Sequence, residues 1–342
     1  MISRSRSMVG LDVGTHSVKA IELTQRGGDV EVTGFGQVEV PADDPEARVR
    51  AVQDLMRECG FRTKKIVTSV SGKQVIVRYL SLVKMSDEEL KNAIQFEAEK
   101  YVPFPLEDCV MDCQRLDEGG PSSGGNMTVL LVAAQRSQVE EHLAMLRESS
   151  VSPIIVDVDA FAVGNAYSLA HGSEEGVQAD TILALVDVGA RKTNINIIRG
   201  AASLFTREIP IGGHDFTEAI ARTLNIGLDE AEALKRDAGE AAQSVQEAVY
   251  PVMDDLGNEI QLSFDYFENQ FETEIEGIRL SGGGSRFPGF QESMEKIFEK
   301  ETEIFNPFQY ISVNEDVDAD LLSVNASQLI VAVGLASRLR KE

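Results

Sequence analysis

One turn is made twice in this chain. Residues 11–23 read LDVGTHSVKAIEL and residues 186–198 read VDVGARKTNINII, each an Asp-Val-Gly turn at the end of an apolar strand with a second strand leading out of it. Self-similarity at this spacing constrains the chain to fold as two related halves. The elements around the turns run in the same order. In the first half, strands at 8–13, 18–24 and 29–41 alternate in hydrophobicity, with turn signals at Gly14 and Gly27-Gly28. DPEARVRAVQDLMRECG then reads as a helix with an acidic first turn and Gly60 placed to end it, and 64–72 as a further strand. In the second half, strands at 181–187, 194–199 and 202–209 precede a helix in GGHDFTEAIARTL, followed by an amphipathic helix around 241–271, a strand at 276–281 and a closing helix at 326–340. The pattern predicts a pseudo-duplicated pair of α/β domains, in keeping with 342 residues, which exceed one ordinary core.

The material between the halves breaks the symmetry. VIVRYLSLV reads as a strand, SDEELKNAIQFEAEKYV as a helix capped by Ser86 with Glu89 three residues on, DCVMDCQRL and MTVLLVAAQ as strands, and RSQVEEHLAMLRES as a second helix. This is a small inserted α/β module, and DEGGPSSGGN at 117–126 reads as a surface connector within it.

A strand ending in Asp-x-Gly before small or hydroxyl residues suits phosphate. Gly14 lets backbone approach an anion, and the amides of Thr15, His16 and Ser17 are placed to donate to it. Asp12 repels phosphate and instead suits a hydrated Mg²⁺, while Lys19 shares the face of Ser17 and reaches the same anion. Asp187 and Gly189 repeat the device, and two facing turns would clamp a polyphosphate and its metal. A third segment, IRLSGGGSRFPGF at 278–290, runs a strand into a glycine cluster that lets backbone lie against a planar base or an α-phosphate. Each of the three alone is a common turn; the matched pair is what carries the reading.

Composition narrows the partners. Lys and Arg number 32 against 56 Asp and Glu, a formal charge of −24, which argues against a nucleic-acid backbone or anionic lipid as main partner. No apolar run is long enough to span a bilayer, and MISRSRS leads into a polar-punctuated strand, so the expectation is a soluble cytoplasmic protein whose first seven residues add nothing to the fold. Cys59, Cys109 and Cys113 fit a reducing compartment, with Cys109 and Cys113 on one strand face as small buried hydrophobes. The histidines at 16, 142, 171 and 214 have no zinc-ligand spacing to the cysteines, which argues against a metal site made wholly of side chains.

These stretches carry a resemblance. Phosphate hairpin, connecting helix, second hairpin and glycine loop, in that order, resemble the actin-like ATPase superfamily of actin, heat-shock ATPase chaperones, sugar kinases and the cell-division protein FtsA. Within it, GLDVGTHSVKAIEL, FEAEKYVPFPLEDCVMD, VDVDAFAVGNAY, DEAEALKRD and LSGGGSRFPGF are similar to the characteristic stretches of the PilM family of type IV pilus assembly proteins, across residues 8 to 340. The second is the most discriminating because it lies in the inserted module.

The resemblance implies an actin-like ATPase fold, a duplicated ribonuclease-H-like α/β architecture with two lobes around a nucleotide cleft. It divides the chain into a first subdomain at 8–75, an inserted strand-helix-strand-strand subdomain at 76–151, a connecting helix at 152–178, a second lobe at 179–325 and a closing helix at 326–342. It implies ATP and Mg²⁺ as cofactors. Asp12, Gly14, Thr15, Ser17 and Lys19 would form the first phosphate site, and Asp187, Gly189 and Thr193 the second. Gly282, Gly283, Gly284 and Ser285 would line the adenosine, and Glu232 and Lys235 would contact ribose and base, although on spacing alone they are an ordinary solvated helix pair. Asp12 and Asp187 would hold the metal through water. Asp159 fits the position of the water-orienting residue, with Asp157 the nearby alternative; either reads equally as a helix N-terminal carboxylate. Where actin has another glycine, the second hairpin carries Arg191 and Lys192, which cap the phosphates or point to solvent. The expectation is ATP binding with slow turnover.

The implied partner is the short cytoplasmic N-terminal peptide of a PilN-like bitopic membrane protein, which would hold the chain at the inner membrane. It would lie in a groove between the first subdomain and the inserted module, where Phe96, Tyr101 and Phe104 are candidate lining residues and equally candidate core. Contacts to other pilus-base proteins, self-association and a role in twitching motility would follow. Two other classes compete: an FtsA-like filament former, whose C-terminal membrane-targeting helix finds no counterpart in LASRLRKE, and a small-molecule kinase of the same superfamily, whose catalytic Asp finds no clear match.

Overall fold

The opening strands fold back on one another as a meander, β1 and β2 buried over most of their length. In the computed structural model, which describes residues 5–40, 44–116, 125–172 and 180–339, β1 (Arg6–Val13), β2 (Ser17–Arg26) and β3 (Asp29–Glu39) pair antiparallel, with Asp12 opposite Lys19 and Gly10 opposite Ile21. Helix α1 (Pro45–Cys59) starts where the Ala47 amide donates to Asp44 Oδ1 at 2.9 Å and stops at Gly60, whose φ of 55° is left-handed. β4 (Ile66–Val70) then lies parallel to β1.

The inserted module follows as β5 (Val75–Val83), α2 (Asp87–Ala98), β6 (Cys109–Leu116), β7 (Asn126–Gln135) and α3 (Arg136–Glu148), its sheet ordered β5-β7-β6. The expected Ser86–Glu89 capping box starts α2. Cys109 and Cys113 both face the core beneath that helix, and burial pushes both thiols up, as the small-hydrophobe reading requires. β8 (Ile155–Val158) returns to the first sheet beside β4 and leads directly into α4 (Asp159–His171).

The second half comprises β9 (Ile182–Val188), β10 (Thr193–Arg199), β11 (Ala202–Ile209), α5 (Gly213–Leu224), α6 (Leu228–Arg236), α7 (Ala242–Phe271), β12 (Gly277–Ser281), α8 (Phe290–Phe298), β13 (Glu301–Ile304), β14 (Ser312–Val313), α9 (Ala319–Val324) and α10 (Ile330–Ala336). The two large sheets run β14-β3-β2-β1-β4-β8 and β11-β10-β9-β12-β13. From β3 to β8 and from β11 to β13 the order and the polarity are the same: an antiparallel meander extended by two parallel strands. The duplication visible in two turns is therefore a duplication of whole sheets.

Small residues let the halves join closely. Ala162, Ala166 and Ala170 of α4 and Ala332, Gly334 and Ala336 of α10 are buried in one core with β1, β2, β9 and β10. A Cβ on Gly334 would intrude on the Ala162 carbonyl, and one on Gly10 on the Ala332 carbonyl, so helix crosses helix and helix crosses strand at backbone distance. The second half has its own aromatic core of Phe216, Phe264, Phe267, Phe290 and Phe298.

Three boundaries differ from expectation. Residues 152–178 are not one helix: 155–158 form β8 in the first sheet, where they pair with β4, and the helix begins only at Asp159. Arg6 and Ser7 belong to the fold: they extend β1 opposite Gln25 and Thr24, and the Ser7 and Thr24 hydroxyls are 2.9 Å apart. An extra ladder rung and a hydroxyl pair outweigh the polar composition that suggested a loose extension. The closing helix is α-helical only over Ile330–Ala336, all buried, and tightens into 3-10 turns at 326–328 and 337–339. Residues 1–4 and most of the connector at 117–126 lie outside the described residues.

Candidate functional site

The two Asp-Val-Gly turns open onto one cavity of about 1070 Å³ between the two large sheets. They are built alike. The Gly14 amide donates to the Ser17 carbonyl at 3.1 Å and the Gly189 amide to the Lys192 carbonyl at 2.8 Å; a Cβ on either glycine would lie 2.9 Å from that same carbonyl. Glycine is required at both places by close approach rather than by an unusual φ. Thr15, His16 and Ser17 line the cavity as expected.

The glycine-rich segments close over the second turn. Gly282 sits at φ 84° with its α-carbon against the Val188 backbone, and Gly284 packs on Val188. The Gly213 amide donates to the Gly189 carbonyl at 2.9 Å and the His214 amide to the Ala190 carbonyl at 2.6 Å, so the start of α5 is stitched to the turn. Gly282, Gly283 and Gly284 line the cavity. Thr193 and Ser285 are turned away: both are buried, the Thr193 hydroxyl donating to the Ile211 carbonyl at 2.8 Å and that of Ser285 to the Gly282 carbonyl at 2.8 Å. The bond from Gly189 shows why Thr193 misses the cleft. The residue equivalent to Ser17 is Lys192, and Thr193 falls one place further on, facing inward.

Three carboxylates share the cleft floor. Lys19 Nζ donates to Asp12 Oδ2 at 2.9 Å, and although burial opposes its charge, Asp12, then Asp187 and Asp159, hold its pKa above the ordinary value. Asp187 accepts from Ser281 Oγ at 2.8 Å, yet burial, with Asp12 and Asp159 nearby, pushes its carboxyl up to about 6. Asp159, at the start of α4, is paired with Lys192 at 3.1 Å, and Lys192 also reaches Glu208 at 2.9 Å. Burial raises the Asp159 pKa, but Lys192 and the neighbouring Ser69 and Ser71 outweigh it and hold the carboxyl below the usual range. Lys192 thus neither faces solvent nor lies loose at the turn. Asp157 is placed elsewhere: its Oδ2 accepts from Arg338 Nη2 at 2.6 Å and Nε at 2.8 Å, outside the cavity lining.

Glu232 and Lys235 are not a solvated pair. Both line the cavity, Lys235 Nζ donating to Glu232 Oε2 at 2.6 Å, Thr217 Oγ1 at 2.8 Å and the Gly213 carbonyl at 2.9 Å. Burial lowers the Lys235 pKa. Arg236, which the sequence did not single out, crosses the cleft mouth: it donates to Glu39 Oε1 at 2.7 Å and His16 Nε2 at 2.9 Å in the first half, and to Glu232 Oε1 at 3.2 Å in its own. Glu208 was also missed. Neither residue belongs to a turn or glycine motif, and only the topology brings them in.

The three aromatic candidates do not come together. Phe96 is 73% and Tyr101 42% exposed, while Phe104 packs into the module's core. Among the described residues no group of three or more His, Cys, Asp or Glu side chains is placed to hold a metal, and no helix is long and apolar enough to cross a membrane.

The sequence model of the family described as type IV pilus assembly protein PilM matches residues 10–340. The chain belongs to the PilM family. A solved PilM-PilN type IV pilus biogenesis complex contains a similar chain, 29% identical, with a TM-score of 0.86 over 98% of this chain and 99% of that one. The cell division protein FtsA of Pseudomonas aeruginosa is 24% identical over 96% of this chain and 90% of its own length. MreB5 of Spiroplasma citri bound to AMPPNP superimposes with a TM-score of 0.50 at 13% identity, covering 96% of this chain and 94% of that one. With the PilM match, these likenesses establish the actin-like ATPase fold, and the two similar sheets are the two lobes of that fold in a PilM-family type IV pilus assembly protein.

Proposed function

We propose that this PilM-family chain is an ATP-binding adaptor of the pilus assembly platform, which holds Mg-ATP in the cleft between its lobes and binds the N-terminal peptide of a PilN-like membrane protein. The observation that carries the nucleotide half is the pair of like-built Asp-Val-Gly turns opening onto one cavity beneath a glycine loop. The residues present fit the group. Backbone at Gly14 to Ser17 and at Gly189 to Arg191, with Lys19, suits phosphate oxygens; Gly282 to Gly284 offer a flat surface to a purine; Glu232 and Lys235 suit ribose and base. Asp187, forced up to about 6 by burial among Asp12 and Asp159, is a carboxylate short of positive charge. A hydrated Mg²⁺ arriving with the nucleotide supplies that charge.

Thr193 and Ser285 act here as supports of the turn and the glycine loop. Turnover is slow, and the nucleotide serves chiefly to set the conformation in which the peptide binds. Support for the partner comes from the similar chain solved with PilN and from Phe96 and Tyr101, large apolar side chains left exposed on the module. Through that partner the protein sits at the inner membrane and contributes to twitching motility.

Calorimetric titration with the N-terminal peptide of the PilN-like protein from the same genome, with and without Mg-ATP, tests this reading. Peptide binding that strengthens or weakens with Mg-ATP and is lost in Phe96→Ala/Tyr101→Ala supports it. ATP binding without peptide binding in either state favours an FtsA-like filament former, and sedimentation of Mg-ATP-dependent polymers would establish that alternative.

A further inference from the structure

The two hairpins differ at one matched position. Gly14 donates to the carbonyl of Ser17, a small hydroxyl residue; Gly189 donates to the carbonyl of Lys192, whose side chain carries an ammonium across to the other lobe. That ammonium lies 3.1 Å from Asp159 Oδ2 and 2.9 Å from Glu208 Oε2. Glu208 Oε2 also accepts the Gly72 amide at 2.9 Å. Lys192 is therefore fixed from β11 on one side and presented to the start of α4 on the other, and Glu208 is held in turn by the loop that enters the inserted module.

We propose that Lys192 is a positioning residue that suppresses ATP hydrolysis by holding Oδ2 of Asp159. The proposal rests on the cleft being an ATP site. In hydrolysis a water oxygen bonds to the γ-phosphorus, the bond to the β–γ bridging oxygen breaks with its electron pair left on ADP, and the proton lost by the water passes to a base and then to solvent. Asp159 is the carboxylate at the cleft floor that opens α4, which makes it the candidate base. A carboxylate that already accepts a 3.1 Å charge-assisted bond has an oxygen committed to Lys192 rather than to water, and its basicity falls with the pairing. The ordinary small residue of such a turn, as Ser17 shows in the first hairpin, cannot reach across the cleft in this way. Coupling to the module also follows: whatever shifts the loop at Gly72 loosens Glu208, and with it the clamp on Asp159.

The test is Lys192→Met, which keeps the aliphatic stem and removes the charge. Mg-ATP turnover is compared with wild type, nucleotide affinity is measured separately by calorimetry, and the double variant Lys192→Met/Asp159→Asn is carried alongside. The expected result is a kcat raised about tenfold at unchanged affinity, an acidic limb of the pH–rate profile moved upward, and loss of the whole gain in the double variant. A merely structural role would move none of the three in this pattern. Turnover unchanged or lowered in Lys192→Met while ATP still binds overturns the proposal and leaves the ATP site standing. A gain that survives Asp159→Asn overturns it too, because the base then lies elsewhere. No ATP binding in the wild-type protein sinks the reading of the cleft, and the proposal with it.

Discussion

Asp187→Asn tests the electrostatics of the cleft without any ligand. Asp187 is buried at the cleft floor and its carboxyl is pushed up to about 6, against 3.8 for an unperturbed aspartate. The folded state therefore holds the proton more tightly than the unfolded chain. Its contribution to stability is complete below the unfolded value and is lost as pH rises through the folded one. That gap is worth about 3 kcal/mol at pH 7.5 and above, and about half of that at pH 5. Asn is nearly isosteric, keeps an oxygen to accept from Ser281, and carries no charge. Nucleotide-free Asp187→Asn is thus expected to be more stable than wild type by about 3 kcal/mol at pH 7.5, a rise in melting temperature of about 4 °C for a chain of this length, and the gap should narrow by half at pH 5. Matched thermal melts at the two pH values measure it. A variant equal to or weaker than wild type at pH 7.5, or a gap that does not change with pH, would refute the electrostatic account. With saturating Mg-ATP the order should reverse, because the wild-type carboxylate then has a cation to face.

Gly334→Ala places a methyl against the Ala162 carbonyl where two helices meet at backbone distance, and should cost about 2–3 kcal/mol in denaturant unfolding despite the better helix propensity of alanine. Tyr79, whose hydroxyl is 2.7 Å from that of Ser203, joins the module to the second lobe and through Ser203 to Asn196; Tyr79→Phe should cost about 1 kcal/mol. In wild type that phenol, pushed up to about 12 by burial, should stay silent in a spectrophotometric titration to pH 10.5. Arg236→Ala removes exposed ion pairs and should change stability by less than about 1 kcal/mol. Stopped-flow release of a fluorescent ATP analogue should nevertheless quicken severalfold, since the link across the cleft mouth is gone.

What the sequence made legible follows from range. Each Asp-Val-Gly turn, the Ser86 capping box, Gly60 as a helix stop and the glycine run at 282–284 are local devices, in which the residues that set the conformation are neighbours in the chain. Their conformations are present in the structure, and the doubled turn belongs to doubled sheets. The family resemblance implies Thr193 as a site residue; the hairpin hydrogen bond sets the count, and it puts Lys192 in the place of Ser17. No periodicity reports such a bond. Arg236, Glu208 and Arg338 join their partners across 197, 136 and 181 residues of chain, so the contacts that place them in or beside the site exist only once distant segments have come together. The Asp157–Arg338 pair shows the same limit in reverse. Two aspartates two residues apart at the start of one helix look equivalent in the sequence, and a residue near the other end of the chain separates them.

The charges of the cleft also explain why it has to be bridged. Asp12 comes from the first lobe, Asp187 from the second, and Asp159 opens the helix that runs between them, so their repulsion acts across the gap and tends to widen it. Cations act in the opposite sense from both sides. Lys19 of the first lobe feels Asp187 of the second; Lys192 of the second holds Asp159; Arg236 of the second holds Glu39. The hinge itself has little give, because α4 and α10 touch at the Ala162 and Gly334 backbones and cannot slide without parting. A joint packed this closely, with a carboxylate short of positive charge at the cleft floor, responds to added charge rather than to added contacts. On the proposed reading, Mg-ATP would act through where its positive and negative groups fall. The inserted module, tied to the second lobe through Gly72 and Tyr79, would register that response directly.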